Sequence, residues 1–229
     1  MPIFEGAGVA IVTPMKADGE VSYEKLEELI NMQIDGGTDA IIITGTTGES
    51  ATMSDEEHRA AIKFAVDHVK KRIPVIAGTG SNETAYAISL SKFAAEVGAD
   101  ALLCVTPYYN KCTQKGLVKH FEAIADSTDL PVILYNVPSR TGVNISIDAY
   151  RELSKHPRIN ATKEANGDLT SVLRTRYACG DDLNIYSGND DQSLAILSLG
   201  GLGVISVLSN IMPRQTHDLC QSFFDGDLF

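Results

Sequence analysis

Eight short apolar runs recur along the chain, separated by amphipathic or polar segments. They are GVAIVTP (8–14), AIIITG (40–45), PVIAGTG (74–80), ALLCVTP (101–107), PVILYNVP (131–138), INATKEA (159–165), NIYSGND (184–190) and GVISVLSN (203–210). Most are rich in Val, Ile or Leu and lack a strict polar alternation. Strands covered on both faces, as in a parallel sheet, read this way. The segments between them read as helices. In SYEKLEELINMQIDGG, Leu26, Leu29, Ile30 and Ile34 fall on one face. Ser54 followed by Glu57 has the spacing of a capping box that opens a second helix. The joints repeat too: IDGGTDAIII, AEVGADALLC and SLGGLGVISV each place glycine where a helix must stop before the next strand.

Strand and helix alternating eight times predict a closed (β/α)8 TIM barrel in one domain spanning residues 1–229. An open doubly wound sheet is the alternative, and the lack of GxGxxG after the first strand counts against it. After the eighth run only MPRQTHDLCQSFFDGDLF remains, enough for one closing helix. Phe223, Phe224 and Phe229 are expected to fold back onto the barrel or to face a neighbouring subunit.

Composition narrows the function. With 19 Lys and Arg against 30 Asp and Glu, the net charge is −11. That disfavours nucleic acid and anionic membrane surfaces as partners. No apolar run reaches spanning length, and MPIFEGAGVA lacks a signal-peptide pattern. Cys104, Cys112, Cys179 and Cys220 are scattered, which predicts free thiols in a reducing, cytoplasmic setting and no zinc site.

Barrel enzymes carry their active sites at the carboxyl ends of the strands. Here those ends read TP, GTTGES, GTGSNE, TPYYN, YNVPSRTG, KEANGD, SGNDD and VLSN. Lys163 and Arg140 bring the positive charge closest to the mouth. Lys163 either reaches solvent, pairs with Glu164, or points inward as an amine nucleophile. Strand neighbours face opposite ways, which disfavours the pair and favours the nucleophile. At its ordinary pKa only about one amine in a few thousand is free at pH 7, so burial and Arg140 are expected to lower it. Tyr135, on the adjacent strand, is either core or a proton shuttle for that amine. Thr46 and Thr47, in a glycine turn read as the head of a helix, offer hydroxyls and backbone N–H groups to an anion. Asp190 and Asp191 make a phosphate a poor occupant, so a carboxylate is expected. Arg140 is either a surface arginine or a forked donor for a second carboxylate.

Together GTTGES, VTPYYN, YNVPSRTG, TKEANGD, SGND and GVISV, in this order, resemble the dihydrodipicolinate synthase family of pyruvate-dependent class I aldolases, from about residue 5 to residue 220. The resemblance implies a lyase of lysine and diaminopimelate biosynthesis that needs no cofactor. In it Lys163 holds pyruvate as an imine for condensation with aspartate semialdehyde. Tyr135 is then the acid/base residue, linked through Thr46 to Tyr109, which the family lends across a homodimer interface within a dimer or tetramer. Thr47 would hold the pyruvate carboxylate and Arg140 that of the semialdehyde, with Gly188 and Ile205 giving backbone groups nearby. Related aldolases of keto-deoxy sugar acids or sialic acid, and a shortened barrel that binds pyruvate without turnover, are the alternatives. The family normally continues into a small C-terminal helical domain, which this chain is expected to lack. The loop KCTQKG carries Cys112 and Thr113 where the family pattern is more proline-like. Members that are inhibited by lysine bind it at positions matching Ser50, Ala51, His58, Asn82 and Tyr108. Tyr86 stands where such members carry glutamate, and Asp55, where some carry histidine, reads as serving a helix N-terminus. Weak or absent lysine inhibition is expected.

Overall fold

The computed structural model describes residues 1–227, so the expectation for Phe229 lies outside the described residues. Eight parallel strands close into one barrel in sequence order, with β1 hydrogen-bonded to both β2 and β8. They are β1 (Gly6–Ala10), β2 (Ala40–Ile43), β3 (Val75–Gly78), β4 (Ala101–Val105), β5 (Val132–Asn136), β6 (Ile159–Glu164), β7 (Asn184–Ser187) and β8 (Gly203–Ser206). Closure rules out the open doubly wound sheet. The helices α1 (Tyr23–Asp35), α2 (Asp55–Val69), α3 (Thr84–Glu96), α4 (Gln114–Ala125), α5 (Pro138–Thr141), α6 (Ile147–Leu153), α7 (Leu169–Cys179), α8 (Ser193–Ser198) and α9 (Pro213–Asp225) connect and surround the strands.

Local chemistry fixes where the helices begin and end. Ser54 and Glu57 form the reciprocal capping box at the start of α2. Thr113 caps α4 by accepting from the Gly116 N–H at 3.2 Å, which gives the unusual KCTQKG loop a structural purpose. Gly37, Gly98 and Gly200 all have positive φ near 90° at the helix-to-strand joints.

Alternation along the strands divides the core in two. Ile133 and Tyr135 of β5 and Ala161 of β6 point into the barrel, with Ile42, Ile76, Leu103 and Ile205. Val132 and Leu134 point outward and pack beneath the helices with Phe121, Ile124 and Tyr150. Phe4 stacks on Tyr186 at 4.4 Å between ring centroids inside the barrel, and the Tyr186 hydroxyl donates to the Phe4 carbonyl at 2.6 Å. This plug precedes β1, at the amino-terminal end of the strands, so the open end is the one where β5 and β6 deliver their last residues. Phe223 of α9 folds back onto Ala7, Val204 and Cys220, whereas Phe224 is exposed.

Candidate active site

Lys163 lies two residues beyond inward-facing Ala161, so the same alternation turns its side chain into the barrel. It is only 4% exposed. Tyr135 is its register partner on β5, and the Lys163 ammonium lies 4.4 Å from the centroid of the Tyr135 ring. A cation over a tyrosine face is attracted by the ring quadrupole. That attraction is weaker than the loss of hydration. Burial accordingly lowers the Lys163 pKa to about 8, with the Asp190 carboxylate raising it and the Arg140 guanidinium lowering it. The Tyr135 phenol is pushed up by burial and drawn back by Arg140 and Thr46.

A cavity of about 590 Å³ opens above this pair, lined by Thr46, Thr47, Tyr135, Ser139, Arg140, Lys163, Gly188 and Asp190 among others. Six of the eight residues expected at the catalytic and substrate positions therefore meet in one place. Gly188 earns its position through close approach. Its N–H donates to the Glu164 carbonyl at 2.7 Å, and a Cβ there would come within 2.7 Å of the Ala165 Cβ. Among the described residues, Arg140 has neither an ion-pair partner nor a side-chain hydrogen bond, although it is exposed at the rim on α5. Its guanidinium is free for a ligand.

The Thr46–Thr47 turn differs from expectation. It does not head an α-helix: Ser50–Thr52 form a single 3-10 turn, and α2 starts only at Asp55 behind the Ser54 cap. The turn is closed by bonds from Gly48 N to Gly45 O and from Glu49 N to Thr46 O, both 3.0 Å. Among the described residues, the Thr46 and Thr47 N–H groups donate to nothing. The anion-binding capacity thus belongs to the turn's own backbone and owes nothing to a helix dipole.

Two expected residues lie elsewhere. Ile205 is fully buried in the inner cluster that also holds Tyr135, and it does not line the cavity, whose wall includes Val207 instead. Tyr109 is 90% exposed, with φ at 77°, and faces a second cleft of about 890 Å³. That cleft shares Thr46, Val137, Ser139 and Arg140 with the first, and also collects Ser50, Ala51, His58, Tyr86 and Tyr108. Asn82 sits at its edge and donates to the Tyr108 carbonyl at 3.3 Å. Nε2 of His58 donates to the Gly78 carbonyl at 2.8 Å, and burial lowers its pKa. Asp55 stands in the first turn of α2, where Ser54 provides the cap, and its carboxylate also lines the cleft, paired with Arg59 at 2.8 Å. Burial first, then Asp55, raises the pKa of the neighbouring Tyr86 phenol to about 12.

One residue of the cavity wall had been read only as hostile to phosphate. The Asp190 carboxylate accepts from the Ser206 hydroxyl, from Val207 N at 3.1 Å and from Leu208 N at 3.0 Å. It therefore ties the turn after β7 to the turn after β8 while acting electrostatically on Lys163. The run of acids in SGNDD was the available signal.

This arrangement has clear counterparts. Residues 3–229 match the Dihydrodipicolinate synthetase family. The 4-hydroxy-tetrahydrodipicolinate synthase of Lachnoclostridium phytofermentans is 60% identical over 228 residues, covering 99% of this chain and 78% of that protein. The crystal structure of dihydrodipicolinate synthase from Aquifex aeolicus superposes with a TM-score of 0.95 at 46% identity, over 98% of this chain and 76% of the other. A dihydrodipicolinate synthase variant described as monomeric also superposes with a TM-score of 0.95, at 42% identity, over 99% of this chain and 76% of the other. A closed eight-stranded barrel, a buried lysine beside a tyrosine in its mouth, and identity of this extent lead to one conclusion: the chain belongs to the dihydrodipicolinate synthetase family.

Proposed function

We propose that the protein condenses pyruvate with aspartate 4-semialdehyde to give 4-hydroxy-tetrahydrodipicolinate, through an imine on Lys163. The observation that carries this reading is the Lys163 amine, buried in the cavity beside Tyr135 with its pKa lowered to about 8. At pH 7 roughly a tenth of such amines are unprotonated, against about one in a few thousand for an ordinary lysine. The gain in nucleophile is on the order of a few hundred-fold.

In this mechanism the Lys163 nitrogen attacks the pyruvate C2 carbonyl, and the carbinolamine loses water to form the imine. Tyr135, beside the amine, carries protons to and from the departing oxygen in this reading. Loss of a C3 proton then gives the enamine. Its carbon attacks the aldehyde carbon of the semialdehyde, forming the C–C bond, and the resulting alkoxide takes a proton. The product's own amine then displaces the Lys163 nitrogen from C2, closing the ring and freeing the enzyme. Two carboxylates must be held meanwhile. The free Thr46 and Thr47 N–H groups suit that of pyruvate, and the unpaired Arg140 suits that of the semialdehyde.

Tyr109 does not line the cavity that holds Lys163, and its 90% exposure supports a role in a partner's site, hence a dimer as the working unit. Free cysteines support a reducing compartment such as the cytoplasm. Among the described residues no helix is long and apolar enough to cross a membrane. Steady-state assay with pyruvate and aspartate semialdehyde, run alongside keto-deoxy sugar acids and sialic acid, tests the reading. Preference for either of the latter would reassign the substrate.

A further inference from the structure

Behind the reactive pair, on the outer face of the same two strands, lies a second pair. Asn136 and Glu164 follow Tyr135 and Lys163 in sequence and are register partners in their own right. Both are buried, at 0% and 3% exposure. Among the described residues Glu164 has no cationic partner. Its carboxylate accepts from Asn136 Nδ2 at 2.9 and 3.1 Å, from the Tyr150 hydroxyl at 2.8 Å and from Asn166 N at 3.0 Å. Asn136 extends the network in the other direction. Its Nδ2 also donates to Asn144 Oδ1 at 2.7 Å, and its Oδ1 accepts from Ile145 N at 3.2 Å. Asn144 and Ile145 close the loop that α5 begins, the loop that carries Arg140. One buried carboxylate thus joins the end of β6, the end of β5, α6 and the Arg140 loop.

A charge left without a counter-ion in the interior is expensive unless every lone pair is used. An apolar side chain would fill this space at less cost to stability. Its place directly behind the reactive lysine points to placement: neighbouring residues of a strand move together, so fixing Glu164 fixes Lys163. Resting on the Lys163 reading above, we propose that Glu164 is a positioning residue. It holds Lys163 against Tyr135 and, through Asn136 and Asn144, sets the Arg140 loop for the second substrate. What it supplies is acceptor geometry. Glutamine can reproduce that geometry, because its oxygen can serve Asn136 and Asn166. Its amide can then donate to the Tyr150 hydroxyl, which turns its own proton to Thr162 Oγ1, 3.2 Å away.

Two readouts separate positioning from mere stability: the rate at which borohydride traps pyruvate on Lys163, and KM for the semialdehyde. Exposed Asn144 can be changed without opening the core. Asn144→Ala should raise semialdehyde KM about 2- to 12-fold, as one net hydrogen bond implies, and leave the trapping rate unchanged. Glu164→Ala, assayed well below its melting temperature, should slow trapping and turnover by roughly 10- to 100-fold through misplacement. Glu164→Gln should stay within about threefold of wild type on both. A folded Glu164→Ala variant with wild-type trapping and KM overturns the proposal, as does Glu164→Gln matching the alanine defect. If Glu164→Ala does not fold, Asn144→Ala and Glu164→Gln decide. Failure of the wild-type protein to trap pyruvate would instead strike at the Lys163 reading itself.

Discussion

Tyr135 and Lys163 face each other across the β5–β6 ladder, and the lysine ammonium sits 4.4 Å from the centre of the tyrosine ring. Aromatic cover on one side and a closed barrel below leave that ammonium little water. The lowered pKa follows from this arrangement, and so does a pH-dependent reaction.

The rate of imine formation should rise with pH and level off above about 8, because only the unprotonated amine attacks. Asp190 opposes this by stabilising the ammonium. Asparagine at 190 can keep the turn contacts, with its oxygen on the Val207 and Leu208 N–H groups and its amide on Ser206. Asp190→Asn should therefore move the midpoint of the trapping profile to lower pH. An unchanged or higher midpoint in stopped trapping assays would remove Asp190 from the electrostatics of the site.

Arg140→Ala should weaken use of the semialdehyde far more than use of pyruvate. A charge-assisted hydrogen bond contributes about 1.5–3 kcal/mol, or roughly 10- to 150-fold in kcat/KM. Equal losses for both substrates would mean that Arg140 serves the whole site through its field.

Gly188→Ala tests the packing of the cavity wall. The added methyl would meet the Ala165 Cβ at 2.7 Å and the Glu164 carbonyl at 3.0 Å, and neither strand end can easily withdraw. Overpacking of this kind costs about 1–3 kcal/mol, equivalent for a domain of this size to roughly 2–4 °C in Tm per kcal/mol. Calorimetry showing an unaltered Tm would mean that the wall is softer than its contacts imply.

Much of this was legible in the sequence because the signals were local. The eight apolar runs, the Ser54–Glu57 box and the glycine joints all became what their patterns predicted, and inward alternation from Ala161 to Lys163 is a property of any strand. The errors occur where contacts depend on distant segments. The first run was read as 8–14, but β1 is Gly6–Ala10, because pairing with β8 begins at Gly6↔Gly203. Nothing in KEANGD reveals that Glu164 meets Asn136 and Tyr150. That meeting is set by the β5–β6 register and the docking of α6.

The second cleft bears on regulation. Tyr86 stands in its wall where lysine-inhibited members of the family are expected to carry glutamate, and the Arg59-paired Asp55 where some are expected to carry histidine. Loss of one charged hydrogen bond is worth about 1.5–3 kcal/mol, a roughly 10- to 150-fold loss of affinity. Lysine should inhibit weakly or not at all. A titration with half-inhibition well below millimolar would show that the remaining groups suffice to bind it.

The account turns on Lys163 as the nucleophile, and one measurement addresses that directly. The protein is incubated with pyruvate, reduced with borohydride and analysed by intact and peptide mass spectrometry, with Lys163→Ala in parallel. The predicted result is one reduced pyruvyl unit per chain, located at Lys163 and missing from the variant. A wild-type protein that acquires no label, or a variant labelled as fully as wild type, would contradict the assignment.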